Sequence, residues 1–244
     1  MKKLLALCAL IALLLPVVAL ADVLTSEWQE ATLEELLQAQ QEISNRISEL
    51  RAAAASDVER VELSGSGTSI LSDVVIPFAP SRVIVECEGE TSVKFTGGAY
   101  DYTFDAKTHE ESFFDQTGTF GLLVESPSAW SIVVEPITAG GVLPLSGSGP
   151  FVSDFFELPA PMIVSITANA SDMDALLSNL IVKLHHQYEN IDSWKGDSLT
   201  NELLSSGNES FAADVILQPV NGRDQYCISV TCEPGVVWSV SPKE

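Results

Sequence analysis

Apolar and polar residues alternate in short runs along most of the chain beyond residue 58. In one such run Phe120, Leu122 and Val124 lie on one face, and Leu123 and Glu125 lie on the other. Similar runs, rich in Val, Ile, Phe and Tyr and separated by Gly, Pro or Ser, lie at 58–63, 73–78, 82–88, 92–96, 99–105, 119–125 and 129–134. So many short strands within about 80 residues predict a β-sandwich or jelly roll.

The second half of the chain repeats landmarks of the first half in the same order. Residues 63–67 (LSGSG) return as residues 145–149, 82 positions later. Each copy closes on a Trp-Ser pair, at Trp130 and at Trp238, which lie 108 positions apart. The second copy therefore holds 26 more residues than the first. Because the two tryptophans recur at equivalent strand positions, we expect both to be core residues.

The repeat sets the expected domain organisation. The fold class is mainly β, with an N-terminal helix followed by two tandem jelly-roll or β-sandwich modules. Module 1 spans 58–138 and module 2 spans 142–244, with an insertion near 187–207.

The N-terminus has the features of a secretory signal peptide at residues 1–21. A short basic start precedes an apolar run to Leu20, and residues 19–21 (ALA) provide a cleavage pattern. An uncleaved membrane anchor is the alternative, because the apolar run approaches the length that spans a bilayer. We expect export and a secreted, extracellular location.

Residues 22–57 are predicted to form a helical stalk. Apolar residues follow a three-four spacing between residues 33 and 50, after two capping-box patterns. The spacing fits a short coiled coil that makes a homo-oligomer through residues 33–50. It fits equally a helix that docks on the following module.

The SGSG opening and the closing Trp-Ser-apolar strand resemble exported tandem β-sandwich-repeat proteins of Gram-positive gut bacteria that have no assigned activity. The resemblance covers about residues 60–244. It implies two all-β modules and no catalytic residues.

The charge balance restricts the class of partner. The chain has 34 acidic against 12 basic residues, a formal net charge of −22. Such a charge repels phosphate backbones and anionic lipids, so we expect neither nucleic-acid binding nor membrane binding beyond the signal peptide.

Candidate metal and catalytic residues are few. Asp101 and Asp105 are predicted on one face of a strand, where they could bind calcium weakly or accept sugar hydroxyls; a solvated strand face is the alternative. His185 and His186 are adjacent in a predicted strand and should face opposite sides. No nucleophile, nucleotide or zinc motif is present. We expect no cofactor apart from weakly held Ca²⁺, and no enzyme activity.

The insertion carries four candidate ligand-binding residues, Tyr188, Trp194, Lys195 and Asp197. A loop inserted on a rigid β scaffold is a common place for recognition, and exposed aromatic rings could stack on a sugar or anchor a protein. The favoured alternative is a short packing helix built on Trp194, Leu199, Leu203 and Leu204.

Three cysteines follow the signal peptide. Strand parity predicts that Cys87 and Cys232 point inwards and that Cys227 lies at the surface. Since Cys227 and Cys232 should face opposite sides of one strand, we do not expect a bridge between them.

The function that fits these features is a non-enzymatic extracellular binding or adhesion-type protein, whose partner is an unknown protein or glycan. One alternative is a structural protein that self-associates through the N-terminal helix. A carboxylate-based hydrolase is a further alternative.

Overall fold

The computed structural model describes residues 60–170, 177–187, 193–205 and 210–243. These residues form strands, turns and loops, with no α-helix among them, so the prediction of a mainly β fold is confirmed. The predicted signal peptide at 1–21 and the predicted helical stalk at 22–57 lie outside the described residues.

Within the described ranges each module contributes eight strands in chain order. Module 1 contains β1 (Val61–Ser66), β2 (Ser69–Ile76), β3 (Ser81–Cys87), β4 (Thr91–Thr96), β5 (Tyr102–Ala106), β6 (His109–Phe114), β7 (Gly118–Glu125) and β8 (Ala129–Pro136). Module 2 contains β9 (Leu145–Ser148), β10 (Phe151–Val152), β11 (Met162–Asn169), β12 (Leu177–Gln187), β13 (Trp194–Ser205), β14 (Ser210–Leu217), β15 (Tyr226–Thr231) and β16 (Val237–Pro242).

The strand order is the same in both modules. Module 1 has one sheet in the order β1-β8-β3-β6 and a second in the order β2-β7-β4-β5. Module 2 repeats this order strand for strand, as β9-β16-β11-β14 and β10-β15-β12-β13. Pairing within each sheet is antiparallel. Two four-stranded sheets in this order make an eight-stranded jelly roll.

Alternation along the strands fills one core in each module. In module 1 the rings of Phe95, Phe114 and Phe120 are almost fully buried between the two sheets. In module 2 the same space holds Tyr226, Ile228 and the apolar residues of β11 and β12. Each core draws residues from both sheets, which makes each module a closed sandwich.

The two repeated tryptophans lie in these cores, as predicted. Trp130 is 4% exposed and Trp238 is 2% exposed. Trp130 donates its indole N–H to the Gly67 carbonyl oxygen at 3.0 Å, and Trp238 donates to that of Gly149 at 2.8 Å. Both glycines have positive φ, +69° and +77°, which explains why glycine ends each LSGSG segment.

The modules belong to a single compact unit and meet through one outer sheet face of each. Phe113 of β6 stacks on His185 of β12, with ring centroids 3.9 Å apart. An apolar cluster of Ile137, Val152, Phe155 and Cys227 lies at this junction, with Phe113 and Trp194 packed against it.

An ionic cluster lies beside the apolar residues of the junction. The Arg82 guanidinium of module 1 forms an ion pair with Asp154 of module 2 and lies within 3.6 Å of Glu111 and 3.4 Å of Glu135. Glu111 also accepts the Val152 backbone N–H at 2.9 Å.

Two expectations from the sequence are wrong. Cys227 is fully buried and not at the surface, because the outer face on which it lies is covered by module 1. The predicted packing helix around 194–204 is strand β13, which pairs along its length with β12. Cys87 and Cys232 lie as expected, half-buried and buried, and the cysteines at 87, 227 and 232 are free thiols.

Within the described residues, no helix has the length and apolar character needed to cross a membrane.

Candidate functional site

Two tyrosines and one aspartate form a half-exposed cluster at one end of module 1. We define the tyrosine–aspartate site as Tyr100, Tyr102 and Asp115. Tyr100 lies in the turn between β4 and β5, and Asp115 follows β6 directly. Tyr100 is 51% exposed, the only large aromatic residue with that degree of exposure among the described residues.

The turn that presents Tyr100 is held by the buried side chain of Gln116. Its amide oxygen accepts the Ala99 backbone N–H at 2.6 Å, and its amide nitrogen donates to the Tyr100 carbonyl oxygen at 3.0 Å. Gly98 packs so closely on this amide that a Cβ there would lie 2.2 Å from the Gln116 Oε1 atom. The backbone beneath the site is therefore fixed by a buried polar contact and by close packing.

A series of aromatic contacts connects the exposed ring to the core. The ring centroids of Tyr100 and Tyr102 lie 4.9 Å apart. The Tyr102 centroid lies 4.7 Å from that of Phe114 and 5.8 Å from that of Phe104. Phe104 and Phe114 are buried in the module 1 core. The exposed ring therefore stands on a rigid base, and little conformational entropy remains to be lost when a ligand covers it.

The hydroxyl groups of both tyrosines converge on one carboxylate oxygen. Tyr100 donates to Oδ1 of Asp115 at 2.7 Å, Tyr102 forms a short hydrogen bond to the same oxygen, and the two hydroxyls lie 2.9 Å apart. Burial, followed by its contact with Asp115, raises the pKa of Tyr102, and burial raises the pKa of Tyr100. Both phenols therefore stay protonated at neutral pH. The site offers an apolar ring face beside an oxygen-rich edge, the combination that suits a sugar ring with its apolar C–H face and peripheral hydroxyls.

The predicted calcium residues lie next to this site without forming a metal cage. Asp101 makes an ion pair with Lys94 at 2.9 Å, and Asp105 lies on β5 opposite Ser92. Within the described part of the chain, no three His, Cys, Asp or Glu side chains are grouped closely enough to hold a metal ion. Weak calcium binding at Asp101 and Asp105 stays a prediction.

The structure brings two of the four insertion residues together at a buried histidine. Asp197 contacts Nζ of Lys195 at 2.6 Å and Nε2 of His186 at 3.1 Å. The hydrogen bond from Lys195, with a smaller contribution from His186, lowers the pKa of Asp197. Trp194 lies apart from this group, stacked on Phe155 at the junction with centroids 5.1 Å apart.

Tyr188 lies outside the described residues. The ring of Trp194 is used for packing between the modules. A ligand role for Tyr188, Trp194, Lys195 and Asp197 stays a prediction.

A serine–histidine pair lies at the junction. Such a pair serves as nucleophile and base in many hydrolases. Nε2 of His185 lies 2.8 Å from Oγ of Ser229. Burial lowers the pKa of His185 to about 3, and the Phe113 ring covers the imidazole. The lowered pKa and the Phe113 cover both disfavour proton exchange with solvent at neutral pH, and the pair contributes to the packing of the junction.

The sequence showed only part of this site. The sequence pattern placed Tyr100 inside the predicted strand 99–105, but β5 begins at Tyr102 and leaves Tyr100 in the turn. Asp115 and Gln116 were not identified, because they lie 15 and 16 residues after Tyr100. They follow β6, which belongs to the other sheet, and only the packing of the two sheets brings them near the β4–β5 turn. The Gly97-Gly98 pair was the one local signal of a tight turn.

Comparison with protein-family models finds no match, and comparison with curated proteins finds none either. Among solved structures, the chain is similar to the N-terminal tandem CBM22 domain of a Paenibacillus barcinonensis protein, with 10% identity and a TM-score of 0.28, covering 75% of this chain and 91% of that one. It is also similar to the stem and receptor-binding domain of the bacteriophage PM2 spike protein, with 6% identity and a TM-score of 0.24, covering 76% and 97%. A Pseudomonas aeruginosa protein of unknown function matches with 10% identity and a TM-score of 0.22, covering 76% and 79%. No family is assigned at this level of similarity.

Proposed function

We propose that this chain is a non-enzymatic extracellular binding protein that holds a neutral glycan at the tyrosine–aspartate site of module 1. The observation that carries the proposal is an exposed Tyr100 ring, fixed on the aromatic core and edged by the Asp115 carboxylate. Support for an extracellular location comes from the leader-like pattern of residues 1–21.

A neutral glycan is favoured over a charged one because of electrostatics. With a formal net charge of −22 the chain repels acidic polysaccharides at low ionic strength. Lys94, on β4 beside β5, is already paired with Asp101. Aromatic stacking and hydrogen bonds to hydroxyl groups need no ligand charge.

The test is a screen of neutral oligosaccharides on an array, followed by calorimetry with the glycan that binds best. Loss of an aromatic anchor in a binding site costs about 2 kcal/mol, so Tyr100→Ala should weaken binding roughly thirtyfold. Tyr100→Phe keeps the ring and loses one hydrogen bond, so it should weaken binding only about fivefold.

Lys195→Ala in module 2 is the matched control, since it alters the other predicted ligand site and should leave the affinity unchanged. Titrations with calcium and with a chelator test whether Asp101 and Asp105 contribute a cation. Failure of the wild-type chain to bind any glycan in the panel, or equal affinity of Tyr100→Ala and wild type, would overturn the proposal. Loss of binding in Lys195→Ala alone would move the site to the insertion.

A further inference from the structure

The junction between the two modules uses different faces of the same fold. Module 1 contributes the outer face of its β1-β8-β3-β6 sheet, through Arg82 and Phe113. Module 2 contributes the outer face of its β10-β15-β12-β13 sheet, through Cys227 and His185. Because the modules share one topology, this is a head-to-tail contact, which leaves one face of each kind without a partner module.

The strand register defines which residues are equivalent in the two modules. Cys87 pairs with Trp130 across β3 and β8, and Ala168 pairs with Trp238 across β11 and β16. Since the two tryptophans are equivalent, Cys87 and Ala168 are equivalent as well. The other residues of these strands follow by counting along each strand.

By this register two exposed isoleucines of module 2 occupy the positions of junction residues in module 1. Ile163 is equivalent to Arg82, and Ile216 is equivalent to Phe113. Within each module the two residues lie directly opposite each other on neighbouring strands, Arg82 with Phe113 and Ile163 with Ile216. Ile163 is 48% exposed and Ile216 is 53% exposed. The face that module 1 uses to contact module 2 thus reappears on module 2 with two adjacent apolar side chains in solvent.

The complementary face shows the same relation in module 1. Ile70 follows the first LSGSG segment at the position that Val152 occupies after the second. Val152 is fully buried in the junction cluster, whereas Ile70 is 82% exposed. Ile70, the most exposed large apolar residue among those described, thus occupies the position whose equivalent in module 2 is buried in the junction.

We propose that the chain self-associates head to tail. The Ile70 face of module 1 in one copy docks on the Ile163–Ile216 face of module 2 in another copy and repeats the internal junction between chains. The two faces are not equivalent, so the contact does not close on itself as a two-fold dimer. It extends into a linear or ring-shaped assembly.

Charge sets the conditions under which this association is seen. The internal junction contains the Arg82 ionic cluster, whereas the free module 2 face has an ion pair between Lys243 and Asp214 beside its isoleucines. The contact between copies is therefore mainly apolar, and the formal charge of −22 on each chain opposes it. Added salt screens that repulsion, so association should strengthen as ionic strength rises.

The test is sedimentation velocity of the full chain at low and high salt. Protein concentrations should extend to roughly millimolar. This is about the effective concentration that a short covalent link gives two modules of one chain, and the contact between copies lacks such a link. We expect species at multiples of the 26.2 kDa chain mass for the wild type. Ile70→Glu blocks one face and Ile216→Glu blocks the other, so each variant alone should remain monomeric.

Mixing the two variants gives the decisive result. One retains the free module 2 face and the other retains the Ile70 face, so an equimolar mixture should form a dimer and nothing larger. Leu203→Glu, which alters an exposed leucine of β13, is the matched control and should associate as the wild type does. Near-ultraviolet circular dichroism and thermal unfolding check that each variant is folded.

Three results would overturn the inference. The first is that the wild type stays monomeric throughout the concentration range. The second is that the mixture of Ile70→Glu and Ile216→Glu forms no dimer. The third is that each of these variants alone associates like the wild type. The last result would place the contact elsewhere, for example at residues 33–50. None of these measurements depends on glycan binding, so failure of the proposed function leaves this test unaffected.

Discussion

The contact between the repeated glycines and tryptophans makes a strong prediction about stability. In module 1, Gly65 lies directly opposite Trp130 across β1 and β8. A Cβ at residue 65 would lie 2.4 Å from Cζ2 and 2.8 Å from Cε2 of that indole. Gly65→Ala must therefore displace a large, buried ring that has no flexible end to move aside.

The expected cost follows from these distances. Overpacking of a core typically costs about 1 to 3 kcal/mol, and displacement of the ring also endangers its hydrogen bond to Gly67, which contributes about 1 kcal/mol. We expect Gly65→Ala to lower the free energy of unfolding by about 2 to 4 kcal/mol. Urea unfolding followed by circular dichroism measures the loss, and Ser66→Ala, at an exposed position of the same strand, should change it by less than about 0.5 kcal/mol.

A double-mutant cycle isolates the steric cause. Trp130→Phe removes the part of the indole that the new methyl group would meet, so in that background Gly65→Ala should cost about 1 kcal/mol or less. The effect of alanine on the unfolded chain is present in both backgrounds and cancels. If the two substitutions are additive within about 0.5 kcal/mol, the clash is not the reason for glycine at this position.

Two further predictions concern the junction. The pKa of His185 is about 3 in the folded chain against 6.5 in a solvated one, so the unfolded state alone binds this proton as the pH falls from 6.5 towards 3. Stability should therefore fall in that window, and between pH 7 and pH 5 the wild type should lose about 2 kcal/mol more than His185→Gln in parallel urea titrations. Burial raises the pKa of Cys227, so this thiol should react with Ellman's reagent far more slowly than Cys87 in the native chain. Phe113→Ala should expose Cys227 and speed its reaction. An unchanged Cys227 rate in that variant would show that the Phe113 ring does not seal the junction.

The sequence was informative wherever a residue's environment depends on its own strand. Alternation along β7 correctly separated buried Leu122 from Leu123, and repetition correctly marked Trp130 and Trp238 as core residues. The same logic of strand parity correctly placed Cys227 on an outer face. It could not show that a second module covers that face, because burial there depends on contacts between the modules.

Errors arose where spacing alone was ambiguous. The spacing of Leu199, Leu203 and Leu204 also suits an amphipathic helix. Only the pairing of β13 with β12 shows that this segment is a strand. The tyrosine–aspartate site was partly visible in the same way. The predicted strand 99–105 contains Tyr100 and Tyr102, but the carboxylate that joins them comes from the segment after β6.

The ionic cluster distinguishes the internal junction from the apolar contact proposed between copies. A single guanidinium among three carboxylates in a partly desolvated setting contributes little net stability, because the desolvation of the charges offsets their attraction. Its hydrogen-bonding geometry is nevertheless demanding, since Arg82 must meet Asp154, a residue 72 positions away in the other module. Module 2 has Ile163 where module 1 has Arg82, so only one of the two equivalent faces can make the ionic contact. The apolar cluster around Val152 therefore accounts for the adhesion of the modules, and the Arg82 cluster adds an ionic contact that the free module 2 face lacks.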